Sequence, residues 1–299
     1  MISPNLKNRL DLLSAEYQAL AKKNKTAIKE IALAEVPEMV FHSNAIENST
    51  LTLEDTEDIL IRGQIKHDAS VREVYEAKNL GKVMELLIEN PNEKLTPILI
   101  LALHKMLLEG INDEWAGRFR TGDQWVRVGT HIGANPDFVN GLVYELVDNF
   151  NQKDNRELLE KIAYFHAEFE NIHPFPDGNG RIGRVLVNQQ LMKENLPPII
   201  IRSKNKQTDY YPFFDSYLKT GRADDFEALF TNLLLESLHK RIAILSGEKI
   251  IPLTDWAKKH QVPANSILNK ARRQTIPAFR IEDRWMVAKD FVDTPEVDL

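Results

Sequence analysis

Apolar residues recur every three or four positions through most of this sequence, and that spacing places them along one face of an α-helix. Leu10, Leu13, Tyr17 and Leu20 form the first such stripe. Comparable stripes predict helices over about 37–48, 52–61, 71–88, 96–108, 137–150, 156–171, 181–195, 210–219 and 224–246. The sequence therefore predicts a mainly helical (mainly α) fold.

Residues 117–133 interrupt this helical pattern. The segment combines side chains of high β propensity with glycines, namely Trp125, Val126, Val128 and Ile132 with Gly122, Gly129 and Gly133. Since glycines punctuate short β-prone runs where the chain reverses direction, the segment predicts a β-hairpin between two helical regions.

Residues 246–248 (Ser-Gly-Glu) predict a linker, and the sequence after them has a different order of elements. Helices predicted over 253–260 and 264–273 are followed by alternating apolar residues between 279 and 287. This order resembles winged, excisionase-like helix-turn-helix modules that bind DNA. The sequence thus predicts three regions: an N-terminal helical region (1–95), a central core (96–246) and a small C-terminal winged-helix-like domain (247–299).

Charge in the C-terminal region leaves its partner open. Residues 250–289 contain eight Lys and Arg against three Asp and Glu, a balance that suits contact with nucleic-acid phosphates. Glu282 and Asp283 fall at the predicted wing tip, where their charges would repel DNA. Contact with DNA, docking of a protein and dimerisation all remain compatible with the sequence.

Composition excludes several other kinds of protein. The 299 residues include no cysteine, which excludes disulfides and thiolate zinc sites and fits a reducing compartment. A net charge of −6 argues against a protein that is basic over its whole surface. No stretch approaches the roughly 20 apolar residues of a membrane span, and the N-terminus lacks the pattern of a signal peptide. A cytoplasmic protein that does not contact a membrane is predicted.

Residues 177–184 (Asp-Gly-Asn-Gly-Arg-Ile-Gly-Arg) indicate a binding site for phosphates. Gly178 and Gly180 let the backbone approach a ligand closely, and the following helix directs free N–H groups and a partial positive charge at this turn. A phosphate binds readily at such a helix start. Arg181 and Arg184 lie on one helix face and can each donate hydrogen bonds to phosphate oxygens. The segment therefore predicts a polyphosphate site.

Asp177 and His173 add a carboxylate and an imidazole to this site. A carboxylate beside phosphates is a common ligand of Mg²⁺, which suits Asp177. Imidazole has an unperturbed pKa of about 6.5, so His173 can act as a general base on an attacking hydroxyl. His104 and His166 fall on predicted helices among apolar neighbours and are interpreted as packing residues.

The segment 173–184 matches the Fic (Fido) family signature His-x-Phe-x-Asp/Glu-Gly-Asn-Gly-Arg-x-x-Arg at every defining position. The chain resembles this family over residues 40–235. The resemblance implies a Fic-fold helical bundle with a β-hairpin flap, and the central region would be its catalytic core. It also implies a nucleotidyltransferase that moves AMP from ATP to a Tyr, Thr or Ser hydroxyl of a target protein and releases diphosphate.

The resemblance further implies roles for individual residues. His173 would be the catalytic base, Asp177 would carry Mg²⁺, Arg181 would stabilise the leaving diphosphate and Arg184 would meet the γ-phosphate. Contacts with ATP are implied for Gly178, Asn179, Gly180, Arg181, Ile182, Gly183, Arg184, Val126, Arg127, Val128, Gly129, Tyr210 and Tyr211. Simple helix packing explains the tyrosine pair equally well.

Ser43, Glu47 and Asn48 match the inhibitory motif Ser/Thr-x-x-x-Glu-Gly/Asn found in many Fic proteins, here on the predicted helix 37–48. Glu47 would pair with Arg184 in a forked carboxylate–guanidinium contact. Arg184 could then not receive a γ-phosphate, so ATP would bind unproductively. The same carboxylate could instead orient a water that removes AMP from a modified target.

The partners implied are ATP and a target protein, which the flap would position by strand addition. Self-modification and a homodimer are left open. A competing hypothesis is a DNA-bound regulator that uses the Fic domain as a nucleotide sensor. AMP transfer is favoured because no position of the signature is lost.

Overall fold

Most residues of the computed structural model are helical, and it describes residues 3–65, 68–128 and 131–293. In chain order the helices are α1 (Pro4–Lys23), α2 (Lys25–Ala34), α3 (Val36–Ile46), α4 (Leu53–Glu57), α5 (Val71–Glu89), α6 (Pro97–Leu108), α7 (Pro136–Asn151), α8 (Leu158–Ile172), α9 (Asn179–Lys193), α10 (Lys206–Asp209), α11 (Tyr211–Thr220), α12 (Asp224–Leu245), α13 (Leu253–Lys259) and α14 (Ala264–Arg272). The mainly helical fold predicted from apolar spacing is confirmed. Within the described ranges, no helix is both long and apolar enough to cross a membrane.

The strands are few-residue segments: β1 (Arg127–Val128), β2 (His131–Ile132), β3 (Ile250–Pro252), β4 (Phe279–Ile281) and β5 (Arg284–Ala288). The chain divides into a first unit, Ala32–Phe230, and a second unit, Ile2–Ile31 with Thr231–Leu299. Helices α2 and α12 contribute residues to both units. The domain boundaries predicted near residues 95 and 246 stay predictions.

Helix starts in the first unit follow the capping residues of the sequence. Thr52 Oγ1 accepts the Asp55 N–H at 3.1 Å, and the Asp55 carboxylate accepts the Thr52 N–H at 3.0 Å, so α4 begins with a capping box. Thr96 accepts the Leu99 N–H at the start of α6, where Pro97 takes the first helical position. These caps satisfy N–H groups that lack an intrahelical partner.

Helix α9 lies at the centre of the first unit, against α3, α5, α6 and α8. Its apolar side chains Ile182 and Leu186 are fully buried, but the polar Gln189 and Gln190 are buried as well. A helix with neighbours on several sides has no solvent-facing stripe, so its sequence need not be amphipathic. This position places the signature residues that begin α9 inside the unit.

The predicted hairpin is present but shorter than expected. β1 and β2 pair antiparallel, with Arg127 opposite Ile132. Trp125 lies before β1, outside the ladder, and its side chain is 57% exposed. β propensity reflects packing on a half-buried pleated surface, and Trp125 has no such surface to pack against. Gly129, at the predicted turn, lies outside the described residues.

The second unit contains a three-stranded antiparallel sheet in the order β3-β5-β4, against which α13 packs. Leu253, Trp256, Ile267 and Val287 form its fully or almost fully buried core. The predicted helices and the strands β4 and β5 are present. β3 was not predicted, because three residues next to a linker carry no periodic signal and its partner β5 lies more than thirty residues later.

Candidate active site

His173 lies where α8 meets the signature loop. Its φ of 52° places it in the left-handed region, which few non-glycine residues adopt, and its N–H donates to Phe169 O at 2.9 Å. The guanidinium of Arg120 donates to Ile172 O at 2.9 Å and to His173 O at 2.7 Å. Arg120 is fully buried, and burial lowers its pKa. A cation at a helix C-terminus is favourable, so Arg120 fixes the turn that carries His173.

Arg120→Met is expected to lower the free energy of unfolding by about 3 kcal/mol, because buried carbonyls lose their charged donors. Urea unfolding followed by circular dichroism measures the change. Arg118 is exposed two residues earlier, and Arg118→Met serves as the matched control, with an expected change under about 0.5 kcal/mol. An equal loss in both variants would contradict the role of Arg120.

The loop between α8 and α9 is held by side chains on both sides. Asn179 accepts the Phe175 N–H and donates to Phe175 O, both at 2.8 Å. The buried Phe175 ring stacks on His104 with centroids 3.6 Å apart. His104 Nδ1 accepts the Gly117 N–H at 3.0 Å, so its Nε2–H donates to Asp177 O at 3.0 Å. His104 was interpreted as a packing residue, and the structure adds these two hydrogen bonds.

The start of α9 presents backbone donors to the site. Gly178, with φ of 82°, is the N-cap residue, and a helix start leaves its first N–H groups without intrahelical partners. The predicted phosphate contacts of Asn179 and Gly180 can use these groups. Ile182 donates its N–H to Gly178 O at 3.0 Å, and its side chain is fully buried. That leaves no free donor for the phosphate contact predicted at Ile182.

Gly183 faces α8 rather than the helix start. A β-carbon there would lie 3.2 Å from the His166 ring and would collide with the Glu170 carboxylate. His166 Nε2 lies 2.8 Å from the Tyr210 hydroxyl oxygen, and burial lowers the pKa of His166 to about 4. The glycine therefore makes room for two polar side chains of α8, which is a packing role.

Asp177 belongs to a network of two arginines and two carboxylates. Its oxygens lie 2.5 Å from Arg72 Nη2 and 3.2 Å from Arg181 Nη2. Glu76 lies 2.9 Å from Arg72 and 3.0 Å from Arg181. Burial alone would raise the pKa of Asp177, but Arg181 and Arg72 outweigh it and hold the pKa below its ordinary value. Asp177 is thus ionised and already partnered.

Arg184 binds residues of α3 and its C-terminal cap. Its Nε donates to Ser43 Oγ at 3.0 Å, and its Nη2 donates to Ser43 O and to Glu47 Oε1, each at 2.8 Å. The predicted pairing of Glu47 with Arg184 is present, but through one hydrogen bond rather than a fork, and Ser43 accepts from Nε and from the same Nη2. A β-carbon on Gly180 would collide with the Glu47 carboxylate. Glu47 therefore lies against the helix start.

The C-terminus of α3 is clamped from the α10–α11 region. Lys206 Nζ donates to Ala45 O, Ile46 O and Asn48 Oδ1, each at 2.8 Å. The Tyr211 hydroxyl donates to Ile46 O at 2.6 Å. Asn48 adopts a φ of 69°, a conformation that asparagine tolerates better than most residues. These contacts fix the cap position that Glu47 occupies.

A cavity of about 520 Å³ joins these groups. Its lining includes Glu47, His173, Gly180, Arg184, Tyr210 and Tyr211. His131 in β2 also lines it, and its Nε2 lies 2.9 Å from Asn171 O. Among the described hairpin residues, Val126 and Arg127 do not line this cavity. Their nucleotide contact, like that of Val128, stays a prediction, and Gly129 lies outside the described ranges.

This chain is similar in sequence to known proteins. Residues 94–191 match the Fic/DOC family. Protein adenylyltransferase Fic of Nematostella vectensis is 32% identical over 196 residues, covering 64% of this chain and 44% of the relative. Protein adenylyltransferase fic-1 of Caenorhabditis elegans is 30% identical over 178 residues, covering 58% of this chain and 34% of the relative. The chain thus spans less than half the length of these curated relatives.

A crystal structure of a Fic domain containing signaling protein from Bacteroides thetaiotaomicron superimposes with a TM-score of 0.69 at 25% identity. The match covers 80% of this chain and 97% of that one. The first unit contains the whole matched range 94–191, including the loop between α8 and α9 and the backbone donors at the start of α9. Residues 94–191 of this chain are therefore a Fic/DOC domain.

Proposed function

We propose that this protein transfers AMP from ATP to a Tyr, Thr or Ser hydroxyl of a target protein. One observation carries the proposal: His173, at the end of α8, lines the same cavity as Gly180 and Arg184 at the start of α9. A base and a polyphosphate site therefore share one space, as hydroxyl attack on a nucleotide requires. The relatives reported above bear the name protein adenylyltransferase.

In this mechanism the phosphates of ATP lie at the start of α9, held by N–H groups of Asn179 and Gly180 and by the guanidinium groups of Arg181 and Arg184. His173 takes the proton of the attacking hydroxyl. The hydroxyl oxygen forms a bond to the α-phosphorus while the bond from that phosphorus to the diphosphate oxygen breaks. Arg181 offsets charge that develops on the departing diphosphate. The products are AMP-protein and diphosphate.

Asp177 fits a Mg²⁺ site that the nucleotide completes. Mg²⁺ prefers oxygen ligands and is commonly held by one or two carboxylates together with substrate phosphates. Asp177 supplies one ionised carboxylate beside the helix start, at present paired with Arg72 and Arg181. Bound Mg²⁺ would offset phosphate charge and orient the phosphates. Arg72 and Arg181 would then keep their contacts with Glu76, and the donors released by Asp177 could turn towards the phosphates.

The inhibitory motif is part of the same proposal. Glu47 lies against Gly180 and bonds Arg184, so its carboxylate takes the place and the partner proposed for the γ-phosphate. In this state the Glu47 carboxylate would repel the negatively charged γ-phosphate of ATP. Lys206 and Tyr211 both donate to Ile46 O at the end of α3. These contacts support a stable rather than a transient position of Glu47 beside Gly180.

Accessory surfaces complete the proposal. The β1–β2 hairpin borders the cavity through His131 and would present a target segment to His173. The order of α13, α14, β4 and β5 supports a winged helix-turn-helix-like module with an accessory binding role. On α14, Lys270 is already paired with Asp293 at 2.7 Å, which weakens the case for contact with DNA.

Two labelled forms of ATP test the reaction type. The Glu47→Gly variant, which lacks the proposed inhibitory carboxylate, is incubated with Mg²⁺ and a cell lysate, once with α-labelled and once with γ-labelled ATP. AMP transfer is expected to label protein only from α-labelled ATP, because the γ-phosphate leaves in diphosphate. Label from γ-labelled ATP would indicate phosphoryl transfer and would contradict the proposal. Absence of label from both would favour a nucleotide sensor.

A further inference from the structure

Glu170 is a buried carboxylate next to His173 that no signature position includes. Its Oε2 lies 3.6 Å from His173 Nδ1, and the two side chains are only 11% and 15% exposed. Both His173 Nδ1 and Glu170 Oε1 are buried without a hydrogen-bond partner among the described residues. A buried polar atom without a partner is costly. Closer approach of Glu170 Oε2 would give His173 Nδ1 the hydrogen-bond partner that it lacks.

The surroundings keep Glu170 ionised. Burial alone would raise its pKa, but His173, His166 and Arg184 outweigh that effect and hold the pKa below its ordinary value. Gly183 has no side chain, which lets the carboxylate fit between α8 and α9. Glu170 is therefore a fixed negative charge at the Nδ1 side of the imidazole.

We propose that Glu170 is the positioning residue of His173: its carboxylate accepts the Nδ1–H, so that Nε2 carries the lone pair that takes the proton of the target hydroxyl. The inference rests on the proposed AMP transfer and assigns the imidazole its tautomer and orientation. When the hydroxyl proton moves to Nε2, the imidazolium holds protons on both nitrogens, and the carboxylate offsets its positive charge. The proton returns to solvent after diphosphate leaves.

A distance of 3.6 Å is compatible with this role, because catalytic hydrogen bonds are often long before substrate binds and tighten in the complex. Arg120 donates to the carbonyl of His173 and holds the backbone of the turn in place. The neighbouring Glu168 is already bound to the Tyr217 hydroxyl at 2.6 Å, so it does not compete for the imidazole.

The first test is nuclear magnetic resonance of full-length protein labelled with ¹⁵N-histidine, which reports the His173 tautomer without any activity. The wild type is expected to show an Nδ1–H proton, shifted downfield by the carboxylate, and an unprotonated Nε2. Glu170→Gln keeps the shape and an acceptor oxygen but loses the charge, so the proton is expected to move upfield. Glu170→Met removes the acceptor, so the Nδ1–H population is expected to fall. Glu168→Gln is the matched control and should leave both signals unchanged.

The second test separates positioning from binding by steady-state kinetics in a Glu47→Gly background. Loss of a partner that orients a functional histidine typically costs about 10- to 100-fold, so kcat is expected to fall about tenfold in Glu170→Gln and about 100-fold in Glu170→Met. KM for ATP should stay within about twofold, since Glu170 does not contact the phosphates. A structural role alone would lower thermal stability without this graded loss of kcat.

The outcomes separate the two hypotheses. An Nδ1–H signal that is absent in the wild type, or unchanged in Glu170→Gln, overturns the role of Glu170. Should Glu170→Met fail to fold, the Gln variant still decides the matter. Signals that move as expected in a protein that labels no acceptor would support the Glu170–His173 contact while refuting the proposed AMP transfer.

Discussion

Glu47→Gly is expected to raise the rate of AMP transfer by about 10- to 100-fold. The carboxylate makes one hydrogen bond to the Arg184 guanidinium and lies against Gly180. A hydrogen bond to a charged group contributes about 1.5–3 kcal/mol, and each 1.4 kcal/mol is about tenfold in an equilibrium constant. Removal of the carboxylate is therefore expected to increase the fraction of protein with an accessible γ-phosphate position by about 10- to 100-fold. Incorporation of label from α-labelled ATP, at saturating ATP and Mg²⁺, measures the effect.

Arg184 should stay in place in this variant, because Ser43 keeps two of its hydrogen bonds. Glu47→Gln, which retains the side-chain volume but not the charge, is expected to give a smaller increase. In an Arg184→Ala background the glycine substitution should raise transfer little, since the guanidinium that Glu47 blocks is then missing. Equal activation with and without Arg184 would refute the proposed inhibition through this contact.

The centre of the site could be predicted because its residues are close together in the sequence. Gly178 and Gly180, the two following arginines and the helix that they begin fall within a few residues, so local geometry alone brings them together. Glu47 could be placed only through the resemblance to a family motif, since it lies more than 130 residues away in sequence. The structure brings it into contact with the start of α9 because α3 packs on α9.

Residues that support the site from elsewhere gave no signal in the sequence. Arg120 lies in a loop, Lys206 is the first residue of α10 and Arg72 lies in α5. By residue type, each would ordinarily face solvent. Their partners are carbonyls and carboxylates from distant segments, visible only once the helices are packed. Glu170 differs, because a carboxylate in the last turn of a helix, three residues before a functional histidine, is a signal that could have been used.

β propensity and apolar periodicity predicted the wrong environment for some residues whose burial depends on tertiary packing. Trp125 was expected to be in a strand, yet an isolated two-stranded ribbon has little apolar surface for a large ring to cover. Helix α9 shows the reverse case. Its buried Asn188, Gln189 and Gln190 are residue types that usually face solvent. Asn188 instead bonds the Ile199 N–H and C=O, and Gln189 donates to Glu93 O. Side-chain pairing to distant backbone allows the centre of the unit to be polar.

His173→Ala is expected to lower AMP transfer by about 1,000-fold in a Glu47→Gly background, because a positioned general base contributes about 10²–10⁴ to the rate. Two imidazoles line the cavity within the described residues, those of His131 and His173. His131 Nε2 already lies 2.9 Å from Asn171 O, whereas His173 lies in the loop that leads into α9. Affinity for ATP should change little, since the proposed phosphate donors begin at the next helix. Label from α-labelled ATP gives the rate, and calorimetry gives the affinity.

The backbone at this position requires a second substitution. With φ of 52°, residue 173 occupies a region that alanine disfavours but asparagine tolerates. His173→Asn therefore keeps the turn between α8 and the loop while removing the base, and it is expected to be as inactive as the alanine variant. Substantial activity in the asparagine variant would show that the turn, and not the imidazole, accounts for the loss. In that case the proton would need another acceptor, and the assignment of His173 as the base would be wrong.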